Sequence, residues 1–115
     1  MRGIIISGTG KGAYFVRLYS SVFQQKLGFA AFPGTLNLKV LKAPPLDHKK
    51  KISLTTEGYG QVDCYPIFIQ KTYKGYLLRP HKTTHPDTIL EILSDVNLKE
   101  RLHLQDGDEL ECELA

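Results

Sequence analysis

The sequence predicts a mainly β fold, a single closed or nearly closed barrel of about six short strands with two short helices. Three observations lead there. Turn signals recur at short intervals along all 115 residues, with no internal repeat and no linker. Two segments alternate strictly: Leu36, Leu38 and Val40 against Thr35, Asn37 and Lys39, and Leu110, Cys112 and Leu114 against Glu109, Glu111 and Glu113. Closing such a set of short strands also removes the exposed edges that an open sheet would present.

The elements follow in order. Residues 2–7 form an apolar run suited to a buried strand, halted by Gly8, Gly10 and Gly12. Residues 14–18 read as a second short strand. Ser20 or Ser21 then N-caps a helix through Leu27, with Val22, Phe23 and Leu27 on one face and Gly28 ending it. Phe32-Pro33-Gly34 is a turn into the alternating strand 35–40. Residues 42–51, with Pro44-Pro45 and His48-Lys49-Lys50-Lys51, read as an exposed loop. Residues 61–70 are the next strand, in which Pro66 calls for a bulge or an edge position. Lys74-Gly75 reads as a hairpin turn into a strand at 76–79, and 88–93 as a further strand. Asn97 caps a short helical turn through Leu102, and Asp106-Gly107 turns the chain into the closing strand.

Composition narrows the function classes. Hydrophobic residues at 42% and charged residues at 23% describe an ordinary globular chain, long enough for one compact core. The 15 Lys+Arg against 12 Asp+Glu leave a charge of +3, too small an excess to single out a polyanion and compatible with one phosphorylated small molecule. The three isoleucines before Ser7 are too few for a signal-peptide core, and no apolar run approaches membrane-spanning length. Cys64 and Cys112 are isolated within strand patterns and read as buried reduced thiols. The expectation is a cytoplasmic, monomeric protein without a membrane partner. A nucleic-acid-binding barrel would need a basic stripe interleaved with exposed aromatics. The one basic cluster is Lys49, Lys50 and Lys51, and the closing strand presents three glutamates, so no nucleic-acid partner is expected.

Three constellations could carry chemistry. In Gly8-Thr9-Gly10-Lys11-Gly12-Ala13, alternating glycines let successive backbone N–H groups converge on an anion. The spacing is neither that of a P-loop nor that of the dinucleotide fingerprint, and a plain hairpin loop fits it too. Thr35 and Asn37, two apart on a strand, offer neutral hard oxygens suited to Mg²⁺ shared with phosphate, or simply a wet strand face on which Asn37 is accessible. Lys82-Thr83-Thr84-His85 precedes Glu91, which shares a strand face with Ile89 and Leu93. If it points inward there, an unpartnered carboxylate is costly and suggests a functional acid.

Taken in order, these motifs resemble the archaeal CTP-dependent riboflavin kinases. The resemblance runs through Ser7-Gly8-Thr9-Gly10-Lys11-Gly12-Ala13-Tyr14-Phe15, Leu27-Gly28-Phe29 and Phe32-Pro33-Gly34-Thr35-Leu36-Asn37. It continues in Gly60-Gln61-Val62-Asp63-Cys64-Tyr65-Pro66, Lys82-Thr83-Thr84-His85, Leu90-Glu91-Ile92 and Leu104-Gln105-Asp106-Gly107-Asp108. It implies a six-stranded cradle-loop, RIFT-related Greek-key barrel spanning 1–115, here without the N-terminal helix-turn-helix domain of many relatives. It also implies transfer of the γ-phosphoryl group of CTP to the 5′-hydroxyl of riboflavin, giving FMN and CDP. By position, Gly8, Thr9, Gly10, Lys11, Gly12 and Ala13 would wrap the nucleotide together with Val96, Asn97, Leu98 and Lys99. Thr35 and Asn37 would hold Mg²⁺, Thr83 and Glu91 would contact the flavin, and Glu91 would orient the hydroxyl or accept its proton. Members commonly have Ala-Pro in place of Ser94-Asp95 and Arg in place of Lys99. A flavin- or nucleotide-binding barrel without turnover would carry the same residues.

Overall fold

A computed structural model describes every residue except Thr9 and Thr84. Seven strands and two helices follow one another: β1 (Arg2–Ile6), α1 (Gly12–Leu27), β2 (Leu36–Val40), β3 (Ile52–Leu54), β4 (Val62–Ile69), β5 (Tyr73–Pro80), β6 (Ile89–Leu93), α2 (Leu98–Arg101) and β7 (Glu109–Leu114). The sheet order is β3-β4-β5-β6-β2-β1-β7, and β7 also pairs with β4. Six strands therefore close into an antiparallel barrel, and β3 is an extra strand on the rim of β4.

Apolar side chains lie on both sides of the sheet. The barrel interior holds Ile5, Leu36, Leu38, Val40, Ile67, Ile69, Leu77, Leu90, Ile92, Leu110 and Cys112 among others. Both predicted alternations therefore keep their faces. A second cluster lies on the outer face, where Val16, Tyr19 and Phe23 of α1 pack on Leu54, Val62, Cys64, Tyr76, Leu78 and Leu93. Strands β5 and β6 are buried on both faces, which is why Tyr76-Leu77-Leu78 and Ile92-Leu93 do not alternate. Both cysteines are free and buried. Burial pushes the thiols up, to about 12 for Cys64 and about 11 for Cys112, so neither is a thiolate at neutral pH.

The first helix departs from the sequence reading. Residues 14–18, expected as a strand, belong to α1, which starts at Gly12 rather than at Ser20 or Ser21. The physical reason is the spacing of its rings. Phe15, Tyr19 and Phe23 recur every four residues and stack along one helical face, with centroids 4.6 Å apart for Phe15–Tyr19 and 5.9 Å for Tyr19–Phe23. A strand over 14–18 would split that row. The end of the helix is as expected: Gly28, at φ 79°, donates its N–H to the Gln24 carbonyl at 3.1 Å.

Two further readings are corrected. The β4–β5 reversal lies not at Lys74-Gly75 but at Gln70 and Lys71, with φ of 51° and 60°. Neither is a residue that advertises a left-handed turn. Gly75 is a strand residue opposite Ile67, and its lack of a side chain serves close approach. A Cβ there would stand 2.7 Å from the Leu93 carbonyl oxygen and 2.9 Å from Ile69 Cδ1. Strand β3 went unseen because three residues carry too little pattern. Pro66 keeps the β4–β5 register intact, opposite Tyr76. It occupies the step where the other side of β4 passes from β3, paired as far as Cys64, to β7, paired from Ile67. No bulge is needed, because the missing donor falls at that junction.

Gly75→Ala should lower the unfolding free energy by about 1–3 kcal/mol through overpacking against rigid backbone. Urea denaturation checks this, and a midpoint equal to the parent's would contradict the close approach.

Candidate active site

The glycine segment after β1 leads directly into α1. Among the described residues none caps the helix through its side chain, and no acidic residue lies in its first turn. The opening N–H groups of α1 thus face a hollow with the positive end of the helix dipole behind them, an arrangement suited to an anion. The sequence reading had no helix following the glycines. Its presence makes the anion-binding reading of the loop stronger, not weaker.

That hollow is a cavity of about 630 Å³ between the N-terminal end of α1 and the outer face of β2, β5 and β6. It is lined by Gly8, Gly10, Lys11, Gly12 and Ala13 of the glycine segment, by Thr35 and Asn37, and by Thr83, His85 and Glu91. Thr9 lies outside the described residues. A second hollow of about 200 Å³ is lined by Val96, Asn97, Leu98 and Lys99, and it shares Gly34, Thr35 and Lys99 with the first. The described residues that sequence reasoning singled out are thus brought together around two adjoining hollows.

Close packing explains two of the glycines. A Cβ on Gly8 would collide with the Asn37 amide, and one on Gly12 would stand 2.7 Å from Thr35 Oγ1. The loop therefore lies directly on the two residues proposed to share its ligand. Gly10 differs: open space surrounds it, but its φ of 82° is one that L side chains rarely adopt.

Asn37 and Glu91 are direct cross-strand partners, so their side chains rise from the same face. Asn37 was expected at an accessible position and is instead only 8% exposed. Its Oδ1 is buried and has no hydrogen-bond partner among the described residues. A buried, unpaired amide oxygen is costly unless something accepts it as a ligand. Glu91 does share a face with Leu93, as alternation required. That face is the outer one beneath α1, not the barrel interior, which is filled by Leu90 and Ile92. Burial raises the Glu91 carboxyl above its ordinary value, with His85 and Arg79 opposing the shift. His85 Nδ1 lies 3.4 Å from Glu91 Oε1, at ion-pair range but without hydrogen-bond geometry.

The electrostatics favour an anionic ligand. Among the described residues the cavity wall carries Lys11, Lys82 and Lys99 against the single carboxylate of Glu91. Lys99 Nζ is held at 2.6 Å by Asp106, which also accepts a hydrogen bond from Ser7. Those two partners hold the Asp106 carboxyl below its ordinary value. Asp106 thereby links the start of the glycine segment to the α2 segment. No group of three or more His, Cys, Asp or Glu side chains gathers as a metal site among the described residues. The hard-oxygen pair Thr35 and Asn37 remains the donor set that suits a magnesium ion.

Sequence reasoning missed Phe15 and Tyr19 as cavity residues, because it took the first as strand and left the second between elements. Their four-residue spacing was the available signal. Tyr19 Oη donates to the Gly60 carbonyl at 2.5 Å, bringing Gly60 and Gln61 into the wall.

A family model for CTP-dependent riboflavin kinase, described as "Domain of unknown function DUF120", matches residues 5–114. The chain belongs to this family. Among similar proteins of the riboflavin kinase family are those named riboflavin kinase from Thermococcus kodakarensis and Methanocella arvoryzae. They are 40% and 36% identical over 97% and 99% of this chain, and over 57% and 56% of their own lengths. The riboflavin kinase of Saccharolobus solfataricus is 35% identical over 99% of this chain and 73% of its own length. The chain spans little more than half the length of most of the curated relatives it matches.

Replacing Gly10 by Val should weaken CDP binding about tenfold or more, since the strained φ it imposes is worth about 1–3 kcal/mol. The open surroundings should leave the unliganded melting temperature within a few degrees of the parent's. Calorimetric titration giving an unaltered CDP affinity would remove the loop from the site.

Proposed function

We propose that this chain is a CTP-dependent riboflavin kinase, transferring the γ-phosphoryl group of CTP to the riboflavin 5′-hydroxyl to give FMN and CDP. The observation that carries the reading is the meeting of an uncapped helix N-terminus with the Asn37–Glu91 pair across one cavity. Phosphoryl transfer asks chiefly for positioning and charge neutralisation, and this cavity offers both.

The nucleotide lies along the glycine segment, its phosphates on the N–H groups at the start of α1. Its nucleoside end enters the smaller hollow along Val96, Asn97, Leu98 and Lys99. Lys11 and Lys99 offset phosphate charge, the latter by leaving Asp106. Thr35 and Asn37 would hold Mg²⁺, which when bound neutralises phosphate charge. The fit rests on the unpartnered Asn37 Oδ1, an oxygen that lacks only a ligand. Riboflavin takes the opposite side, against Thr83 and Glu91. The carboxylate of Glu91 orients the 5′-hydroxyl and takes its proton as the new O–P bond forms and the bond to the β-phosphate oxygen breaks. Its buried setting supports this, because a carboxylate destabilised by burial is a better base than a solvated one. The name of the family supports CTP as the donor.

Incubation with riboflavin, Mg²⁺ and either CTP or ATP, followed by chromatography, should show FMN formed faster with CTP. Glu91→Gln keeps the side chain's size and should lower kcat about a hundredfold or more, the usual scale for a general base. Turnover by that variant equal to the parent's would reduce Glu91 to a packing role. Riboflavin binding without FMN from any nucleotide would make the chain a flavin-binding barrel and end the kinase reading.

Ligand charge gives a second expectation. Thr35 and Asn37 are both neutral, so Mg²⁺ affinity must come mainly from nucleotide phosphates. Calorimetry should detect Mg²⁺ binding in the presence of CDP and essentially none without it. Equally tight binding to the free protein would contradict this donor set. Asn37→Leu should abolish the nucleotide-dependent binding without lowering stability, because it removes an unsatisfied buried oxygen.

A further inference from the structure

One buried carboxylate stands outside the mechanism above. Asp63 on β4 is only 6% exposed, yet every approach to it is occupied. Its Oδ1 accepts from Ser53 Oγ at 2.6 Å and Gln61 Nε2 at 3.1 Å. Its Oδ2 accepts from His81 Nε2 at 3.0 Å and lies 3.5 Å from Lys51 Nζ. Burial works to raise its pKa, but the bonds from Ser53, His81 and Gln61 and the charge of Lys51 outweigh it and hold the carboxyl well below the usual range. A carboxylate so fully partnered is a structural hub, and two of its partners, Gln61 and His81, belong to segments of the cavity wall.

The placement of that hub gives it a use. Asp63 pairs directly with Arg79 across β4 and β5, so both rise from the same face at the foot of the segment 80–88. Arg79 reaches the far end, donating to the Asp87 carbonyl at 2.5 Å and the Ile89 carbonyl at 3.4 Å. Asp63 holds the near end through His81, whose backbone N–H also donates to the Gln61 carbonyl at 2.9 Å. Between the two clamps lie Lys82, Thr83 and His85, all in the cavity wall. The Thr83 N–H closes the turn on the Pro80 carbonyl at 3.2 Å, so the turn spans the His81 tether.

We propose that Asp63 is a positioning residue: by holding His81 and Gln61 it fixes the segment that presents Lys82, Thr83 and His85 to the acceptor, riboflavin. This rests on the riboflavin kinase reading for the identity of the acceptor, though not for the tether itself. None of the partners of Asp63 belongs to the glycine segment, so loss of the clamp acts on riboflavin and leaves nucleotide affinity alone.

The experiment compares Asp63→Asn, His81→Ala and the double variant with the parent, in the full chain. A charge-assisted hydrogen bond of this kind corresponds to about tenfold in an equilibrium constant. Each single variant should therefore raise the riboflavin KM and its fluorescence-quenching Kd about tenfold, with kcat within about twofold and CDP affinity as in the parent. The double variant should lose no more than either single one, because the pair acts as a unit. Amide exchange at Thr83 should speed up in all three. His81 is half exposed, so His81→Ala keeps the fold even if Asp63→Asn proves unstable. Parent-like riboflavin affinity and parent-like Thr83 exchange in His81→Ala would overturn the proposal. So would a loss shared equally between riboflavin and CDP, which would mean general loosening. A parent that binds no riboflavin would refute the kinase reading instead, and Thr83 exchange would still decide the tether.

Discussion

The site depends on the packing of α1 against the outer face of the barrel. Val16, Tyr19 and Phe23 are almost wholly buried there, each such side chain contributing about 1.5–3 kcal/mol. This contact does more than stabilise. The interior of a six-stranded barrel is filled by its own aliphatic side chains and has no room for a ligand. Function must then lie on a face or rim, and a bare face offers no enclosure. The helix supplies a second wall, with its N-terminus at the cavity that Asn37 and Glu91 also line. The row of rings fixes the rotation of the helix, and the rotation fixes which backbone N–H groups face the cavity.

Burial on both faces of the sheet also accounts for what was legible in the sequence and what was not. Strands with one solvated face, such as β7 with its glutamates, were readable because alternation survives. The faces of β2 were assigned correctly for the same reason. Glu91 was rightly set apart as a carboxylate on an apolar strand, but the direction it points was not recoverable. With Leu90 and Ile92 on one side and Leu93 on the other, the strand is apolar on both faces, and alternation cannot say which lies inside. The start of α1 was hidden by three glycines and a lysine in place of a cap. A helix whose first N–H groups would serve a ligand, as proposed, has no use for a capping side chain, so the usual signal of its beginning is missing. The β4–β5 turn was misplaced for a different reason, since Gln70 and Lys71 adopt left-handed conformations that neither residue type announces.

The candidate site itself was more legible than the elements that carry it. Gly8 to Ala13, Thr35, Asn37, Thr83 and Glu91 lie far apart in the chain, yet the described residues among them meet around one cavity. They were found through the resemblance of the ordered motifs to a known family, a signal independent of whether each segment had been read as helix or strand. Residues that act through packing left no comparable mark. Tyr19 reaches Gly60 through its hydroxyl while its ring lies in the helix row, so in the sequence it is one more apolar-face aromatic.

Charge bears on the proposed reading of the cavity as well. Lys11 and Lys99, the two lysines assigned to the proposed nucleotide, come from separate segments and converge only in the folded chain. A net charge of +3 spread over the surface conceals this concentration. Two of the carboxylates nearby are disposed so as not to cancel it. Asp106 lies on the rim, where it holds Lys99 and Ser7 together, and Asp63 is spent on four donors behind the wall. Glu91 alone among them faces the cavity with no hydrogen-bonded counter-charge. In a cavity otherwise lined by cations, a carboxylate held against its own desolvation with His85 at ion-pair range is costly as packing, since Gln or Leu would fit the strand at lower cost. The proposed role as base for a substrate hydroxyl would account for that cost.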